Sequence, residues 1–308
     1  MKITTWNINS IKARLPNLLE FLQAEKPDVL LLQELKCVEE AFPFQEISDL
    51  GYNSAVFGQK TYNGVAILSK YKIEEFFKGL PNAKFSHQIS EKSEAKIEGK
   101  KKPNFDLFDS SPQIFSDDFF ESNSFAEKDK NIEIQDARYI EAVISVNGKV
   151  FRIASVYVPN GMDISSSKFT YKKEFFEALN EHLSNIRNLD EHIVIAGDFN
   201  VAMKNIDVFD AKSLEGGICF NIEEKVRFSK ILNSGYFDLF RELNPEKSDF
   251  SWWDYRGNSW GFNKGMRIDY ILANAKAADL CNNCVINSEY RGKEKASDHA
   301  PVTAVFEL

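Results

Sequence analysis

Length, composition and charge set the first limits on this chain. Its 308 residues are 43% hydrophobic and 27% charged and include 26 Phe. This composition is that of a folded globular protein and excludes a largely disordered or fibrous one. No stretch has the roughly 20 consecutive apolar residues of a membrane span, and no apolar segment follows the charged N-terminus as in a secretory signal. We therefore expect a cytoplasmic protein with no membrane partner.

The net charge of −8 at first argues against a nucleic-acid substrate, because contacts to phosphates need Lys and Arg. The charge is unevenly distributed, however. Between His87 and Asp136 there are twelve acidic and seven basic residues, so this stretch carries −5 and the rest of the chain only −3. The remainder of the protein is close to neutral, and a nucleic-acid substrate is not excluded.

Hydrophobic periodicity predicts strands and helices along most of the chain. The opening is β-α-β, with a strand at 2–8, an amphipathic helix at 11–24 and a wholly apolar strand at 28–33. Two hairpins follow. The second contains Asn147-Gly148, which suits a type I′ turn because both central residues of that turn need a positive φ. The hairpin strands are predicted at 52–57, 65–68, 139–146 and 150–158, the later helices at 169–187 and 222–232, and the later strands at 192–196, 267–273 and 301–306.

This order of elements predicts an α/β fold. We expect a four-layered α/β sandwich, in which two mixed β-sheets pack face to face with helices outside. Residues 1–308 are predicted to form a single domain, because that length is within the range of one large α/β domain.

The stretch 81–135 fits none of this pattern, because it mixes acidic residues, Ser, Pro and Phe without a helix or strand period. It is predicted to be a surface insertion. In one interpretation its Phe side chains dock a protein partner, and in the other they pack on the body of the domain. The Phe residues concerned are Phe105, Phe108, Phe115, Phe119 and Phe120.

Polar side chains stand at or near the ends of several predicted strands. In open α/β sheets, side chains at such positions converge in one cleft. Singly, each of them is more often a turn or cap residue. Together they include four carboxylates, which can share a cleft only if a cation or protons offset their charge, and oxygen ligands favour Mg²⁺ or Mn²⁺ over zinc. The residues are Asn7, Glu34, Tyr157, Asp198, Asn200, Asp269, Asp298 and His299.

Six short motifs, taken in order, resemble those of the exonuclease III family. The resemblance extends through nearly the whole chain outside the insertion. It implies membership of the endonuclease/exonuclease/phosphatase superfamily, whose fold is the four-layered sandwich predicted above. The motifs are Trp6-Asn7-Ile8-Asn9, Leu32-Gln33-Glu34-Leu35-Lys36, Tyr157-Val158-Pro159-Asn160-Gly161, Gly197-Asp198-Phe199-Asn200, Arg267-Ile268-Asp269-Tyr270 and Ser297-Asp298-His299-Ala300-Pro301.

The resemblance also implies a metal site. Glu34 would hold the ion, with Asn7 and Asp298 beside it. The full set of metal-site residues is then Asn7, Glu34, Asp198, Asn200, Asp298 and His299.

Catalytic roles follow from the same resemblance. Asp269 would orient His299 and stabilise its charge, and His299 and Asn200 would contact the scissile phosphate. Asp198 would activate the attacking water or protonate the leaving 3′ oxygen, and the resemblance leaves both open. Tyr157 would contact the phosphate.

Tyr157 also bears on the substrate. Relatives that resemble deoxyribonuclease I, sphingomyelinases or inositol polyphosphate phosphatases usually have a second histidine at this place, and none of His87, His182 and His192 fits it. The resemblance therefore implies duplex DNA as the partner. The chain would incise DNA 5′ to abasic sites and remove nucleotides or blocking groups from 3′ ends, as in base excision repair.

Four further residues are implied to contact the substrate. Trp252 and Met266 match apolar residues that wall a pocket for an extruded abasic deoxyribose, a sugar that leaves the helix at low cost because it carries no base. Asn160 would contact the phosphate, and Arg267 the DNA backbone.

Two other interpretations stay open. One is a phosphodiesterase or phosphatase of the same superfamily that acts on lipid or inositol phosphates, in agreement with the acidic net charge. The other is a non-catalytic scaffold that binds a protein through the Phe-rich insertion.

Overall fold

The protein is seen here as a computed structural model in which residues 1–81, Ala83, Phe85 and 135–308 are described. Nearly all of the predicted insertion lies outside these residues, including His87 and the five Phe named as possible anchors, so the partner-docking role stays a prediction. Phe85 was placed in the insertion, yet its side chain is 2% exposed and stacks on Phe175. None of the described helices has the length and apolar character needed to cross a bilayer.

The predicted elements are all present, and each of their ends lies within two residues of the prediction. In chain order, the described strands β1 to β14 are Lys2–Asn7, Val29–Gln33, Asn53–Phe57, Val65–Ser69, Ile73–Lys78, Tyr139–Val146, Lys149–Tyr157, His192–Asp198, Tyr236–Asp238, Trp252–Trp253, Gly265–Met266, Asp269–Asn274, Cys281–Ile286 and Val302–Phe306. The described α-helices α1 to α7 are Ile11–Glu25, Phe44–Ser48, Ser167–Ile186, Ala211–Leu214, Ile222–Asn233, Leu239–Leu243 and Ala275–Ala278. Short 3₁₀ helices occupy Glu39–Ala41, Asn205–Asp207, Arg256–Asn258 and Ser288–Gly292.

The strands form two six-stranded sheets and one small hairpin. The first sheet has the order β13-β14-β1-β2-β4-β3, the second has the order β5-β6-β7-β8-β12-β9, and β10 pairs with β11. Only β1–β2 and β7–β8 run parallel among the described pairs, so both large sheets are mixed as predicted. The predicted turn between β6 and β7 has positive φ at both Asn147 (50°) and Gly148 (76°).

Burial on both faces explains why the central strands are apolar throughout. On β2, Val29 and Leu31 join the core shared by the two sheets, while Leu30 and Leu32 pack under the helix α1. Helix α3 covers the outer face of the second sheet in the same way, with Leu179 in a core that contains the strand residues Ile193 and Ile195. The four-layered sandwich is therefore confirmed.

Three strands that periodicity did not predict, β5, β9 and β13, lie at sheet edges. β5 reads Ile-Glu-Glu-Phe-Phe-Lys and is mostly exposed, and β13 begins Cys-Asn-Asn. Such edge strands carry polar residues that limit pairing with other chains, and this same feature removes the apolar alternation on which a sequence prediction depends.

The strand directions bring the predicted residues to one end of the sandwich. The parallel pair β1–β2 sets Asn7 beside Gln33, directly before Glu34, and the pair β7–β8 sets Tyr157 beside Asp198. β12 runs antiparallel to β8, with Asp269 opposite Asp198.

Gly197 allows the strands β7 and β8 to pack closely just before Asp198. A Cβ at this position would lie 1.9 Å from the carbonyl oxygen of Val156, and φ is 154°. We expect Gly197→Ala to lower the free energy of unfolding by about 3 kcal/mol, because the sheet backbone would have to move.

Gly148→Ala is the matched control. Its φ is also positive, but nothing lies within 4 Å of the added Cβ, so the expected loss is about 1 kcal/mol. Urea denaturation of the two variants measures both values. Equal losses would contradict the steric explanation.

Candidate active site

Asn7 holds two carboxylates together at the centre of the site. Its Nδ2 donates hydrogen bonds to Glu34 Oε1 at 2.8 Å and to Asp198 Oδ2 at 3.0 Å. The Asn7 side chain is fully buried at the end of β1, so the amide cannot turn away to water. An uncharged donor thus bridges two groups that would otherwise repel each other.

Asp198 is buried, and its environment shifts its proton equilibrium. Burial raises the pKa of this carboxyl to about 7, and the carboxylates of Asp269 and Glu34 also raise it, while the positive charge of His299 acts in the opposite direction. The buried carboxyl of Asp198 therefore keeps a proton more readily than an exposed Asp does. A carboxyl in this condition can accept or donate a proton in a reaction.

Asp269 fixes the orientation of the His299 ring, and Ser251 in turn fixes Asp269. The Nδ1 of His299 donates to Asp269 Oδ2 at 2.8 Å, and Ser251 Oγ donates to the same oxygen at 2.6 Å. Burial alone would lower the pKa of His299, but the Asp269 and Asp198 carboxylates outweigh it and raise the pKa to about 10. The imidazole is therefore a cation whose Nε2, 3.7 Å from Asp198 Oδ2, can donate to an anion.

Asp298 is held by two N–H donors. Its Oδ1 accepts from Asn9 Nδ2 at 2.8 Å and its Oδ2 from Trp252 Nε1 at 3.0 Å. Asn9 Oδ1 in turn accepts from Lys36 Nζ, which pairs with Glu34 Oε2 at 2.9 Å. Asn9 and Lys36 stand in motifs that the sequence pointed out, but their role as a link between Asp298 and Glu34 required the structure.

Three polar residues line the other side of Asp198. Asn200 Nδ2 donates to Asp198 Oδ2 and to the carbonyl of Val158, and Asn200 Oδ1 accepts from Asn160 Nδ2 at 3.0 Å. Burial of the Tyr157 hydroxyl and the Glu34 carboxylate raise the pKa of Tyr157 well above its ordinary value. The phenol is therefore uncharged and remains a donor at neutral pH.

A buried lysine holds the backbone of Asn160 and Asn200 in place. Lys172 is fully buried on α3, and its Nζ donates to the backbone carbonyls of Asn160 at 3.0 Å and Asn200 at 2.7 Å. Its charge is balanced by Glu224 Oε1 at 2.5 Å. A Lys at helical spacing looks like a solvated surface residue in the sequence, and nothing there marks Glu224, so periodicity could not find this pair.

The substrate-contact prediction for Arg267 is wrong. Its side chain is 1% exposed and lies in ion pairs with Asp207 at 2.7 Å and with Asp238 at 2.8 Å. A third member, Arg241, pairs with Asp207 as well. Because the guanidinium is enclosed by these carboxylates, Arg267 stabilises the core and does not face a substrate.

Trp252 and Met266 are brought together as the pocket prediction requires. They are directly opposite each other in the β10–β11 pair, and Trp252 also bridges to His299. Trp253 is 1% exposed and belongs to the core between the sheets, as expected. The apolar Trp252–Met266 pair therefore adjoins the polar site.

The described residues contain one group of acidic and histidine side chains suited to a metal ion. Ligand atoms of Glu34, Asp198 and His299 all lie within 4.8 Å of one another. Carboxylate oxygens fit a hard cation, whereas a protonated imidazole cannot coordinate one. Glu34 is therefore the residue that would hold the ion, with Asp198 beside it, while His299 is better suited to donate to a bound anion.

Comparison with known proteins agrees with this geometry. A sequence model described as the Endonuclease/Exonuclease/phosphatase family matches residues 4–299. The chain belongs to this family. It is 30% identical to exodeoxyribonuclease III of Haemophilus influenzae over 99% of this chain and all of that protein.

Two solved structures are similar to this chain over their whole length. The 3′ phosphatase NExo from Neisseria, solved with a product DNA hairpin, superposes with a TM-score of 0.79 at 31% identity, and each chain is covered completely. An AP endonuclease from Archaeoglobus fulgidus superposes with a TM-score of 0.78 at 29% identity, again with complete coverage of both chains.

Lys172→Met should lower the free energy of unfolding by about 3 kcal/mol, because it leaves the Glu224 charge buried without its partner. Adding Glu224→Gln to this variant should restore part of the loss, since it removes the unpaired charge and the amide oxygen still accepts from one of the two backbone N–H groups, of Cys219 or of Asn221, that Glu224 binds. Chemical denaturation measures each step. Lys173→Met, at the half-exposed neighbour, is the control and should change stability by less than about 0.5 kcal/mol.

Proposed function

We propose that this protein is a metal-dependent DNA phosphodiesterase of base excision repair. It incises duplex DNA 5′ to abasic sites and removes nucleotides or blocking groups from 3′ ends. The observation that carries the proposal is the convergence of Glu34, Asp198 and His299, with ligand atoms within 4.8 Å of one another, at one end of the sandwich.

The cofactor we propose is Mg²⁺, with Mn²⁺ as a substitute, since the ligands on offer are carboxylate oxygens. When bound, the ion neutralises negative charge on the phosphate and on the oxygens that enter and leave. Glu34 would hold it, with Asn7, Asp198 and Asp298 alongside. The repulsion between the carboxylates gives the apo site a physical reason to bind a cation.

His299 and Asp198 supply the proton chemistry. Cleavage adds negative charge to a phosphate that is already anionic, and the His299 imidazolium, kept charged by Asp269, stabilises that charge through Nε2–H. Asp198, whose buried carboxyl has a raised pKa, takes a proton from the attacking water or gives one to the leaving 3′ oxygen. Either path leaves a 3′ hydroxyl after incision.

Asn200, Asn160 and Tyr157 would bind the phosphate and fix its orientation. Lys172 anchors the backbone of both asparagines, so their amides are held before substrate arrives. The uncharged Tyr157 phenol adds a donor that does not repel an anion. Preorganised donors of this kind lower the barrier without reorganisation during the reaction.

Two features support DNA over lipid or inositol phosphates. Of the described histidines other than His299, His182 contacts Glu141 in the core and His192 stacks on Phe151, so neither is a second catalytic histidine. The similar proteins named above include an exodeoxyribonuclease, an AP endonuclease and a phosphatase solved with DNA.

Cleavage of a labelled duplex that carries one tetrahydrofuran abasic analogue tests the proposal. We expect incision 5′ to the analogue with Mg²⁺ and none with EDTA. Glu34→Ala should lower kcat by at least about 100-fold, and high metal concentrations should restore part of the activity, because a ligand is lost but the other residues remain. Lys276→Ala, on α7, is the control. No cleavage by folded wild-type protein would refute the proposal.

Trp252 gives a sharper test of the abasic pocket. Trp252→Ala removes both the apolar wall and the hydrogen bond to Asp298, whereas Trp252→Phe removes the hydrogen bond but keeps a ring. Loss of the bond should lower abasic incision and 3′ trimming together. Only Trp252→Ala should lower the ratio of incision to trimming, by about 10-fold, since a sugar in the pocket would lose its contact surface. An unchanged ratio in both variants argues against the pocket.

A further inference from the structure

A basic cavity adjoins the candidate active site. It has a volume of about 410 Å³, and four cationic side chains, Arg14, Arg291, Lys293 and Lys295, line it together with Tyr255. No Asp or Glu is among its lining residues. In a chain with a net charge of −8, such a concentration of positive charge needs a physical explanation.

The positive charge of the cavity is largely uncompensated. Within the described ranges, Arg14, Arg291 and Lys295 form no salt bridge, and the Nε atoms of the two arginines have no hydrogen-bond partner. Lys293 pairs with Glu20 at 2.8 Å, but both side chains are about half exposed and such a pair contributes little. Like charges in one cavity destabilise the protein unless an anion occupies it.

The aromatic ring of Tyr255 organises the two arginines. The Arg291 guanidinium lies 5.0 Å from the centre of this ring, and Arg14 Nη2 donates to the Tyr255 hydroxyl at 2.9 Å. Both guanidinium groups are therefore held in place while remaining charged. Arginine held in this way is well suited to bind the oxygens of a phosphate.

Two short paths connect the cavity to Asp298. Arg14 Nη1 donates to the backbone carbonyl of Asn9 at 2.6 Å, and the Asn9 side chain donates to Asp298. The Tyr255 hydroxyl donates to the carbonyl of Ala296, two residues before Asp298. An anion in the cavity would thus lie close to Asp298, which stands beside the proposed metal site.

We propose that this cavity binds a backbone phosphodiester of the DNA strand that enters the active site, next to the phosphate that is cut. The inference rests on the proposed function, because it places the same substrate. Successive phosphates along a strand bring charges at short, regular intervals, so a second phosphate site beside the first sets the position of the strand. The cavity would also attract DNA to a protein whose overall charge repels it.

DNA binding without cleavage tests the inference. The affinity of a fluorescent duplex is measured by anisotropy in EDTA over a series of salt concentrations, for wild type, for Arg291→Gln/Lys295→Gln and for Lys295→Glu. Each phosphate contact contributes about 0.9 to the slope of log K against log salt concentration, so the double variant should lose about 1 from that slope and bind several-fold more weakly. In the Mg²⁺ cleavage assay its KM should rise while kcat stays within about 2-fold.

Lys230→Gln/Lys276→Gln is the control, because it removes the same formal charge from the outer helix α5 and from α7, and it should leave the slope unchanged. Lys295 is exposed, so Lys295→Glu cannot fail through lost packing, and its reversed charge should weaken duplex binding relative to wild type. Calorimetric titration with inorganic phosphate tests whether the cavity binds free phosphate instead of a phosphate of the DNA backbone.

Unchanged duplex affinity in both cavity variants would overturn the inference. So would inorganic phosphate binding that the cavity variants abolish while duplex affinity stays constant, since the occupant would then be free phosphate. Because the binding assay contains no metal, failure of abasic incision by wild type would refute the proposed function alone and leave the binding result to decide on the cavity.

Discussion

The hydrogen bonds from Asn7 to Glu34 and Asp198 are the contacts on which the rest of the site depends. They hold two carboxylates close together at the end of the sandwich, with Asp269 and Asp298 nearby. Such an arrangement raises the energy of the empty site, and each neighbouring group offsets part of it. Lys36 pairs with Glu34, and N–H donors hold Asp298. The remaining excess of negative charge is what a divalent cation would neutralise.

The fold brings these charged side chains together at one end of the sandwich. Two parallel strand pairs, one in each sheet, end at the same edge, and the inner faces of the sheets share one apolar core. Asn7 and Asp198 therefore meet across the sandwich although they lie 191 positions apart in the sequence. The apolar core stabilises the structure enough to tolerate the repulsion at its edge. Function and stability are thus opposed at this site, as is common where charges are gathered for catalysis.

The sequence predicted the layers, the central strands and most of the site, because each catalytic candidate stands at the end of a strongly apolar strand or in a recognisable motif. It missed β5, β9 and β13, three of the four edge strands of the large sheets, which are short or rich in polar residues. It also could not distinguish buried cations from surface ones. Arg267 adjoins Asp269 in sequence but points into the ion pairs with Asp207 and Asp238, and Lys172 lies under the asparagines instead of facing solvent. Burial of a charge depends on partners distant in sequence, and periodicity contains no information about them.

The dependence of thermal stability on metal in wild type and Glu34→Gln tests the central claim most directly. In EDTA the variant should be the more stable protein, because one negative charge is removed from the cluster. In excess Mg²⁺ the wild type should gain stability, by about 2.7 kcal/mol at a hundred times the dissociation constant, and the variant should gain much less. A wild type that is indifferent to Mg²⁺, or a variant that gains as much, would contradict the account of a carboxylate cluster built to hold a cation.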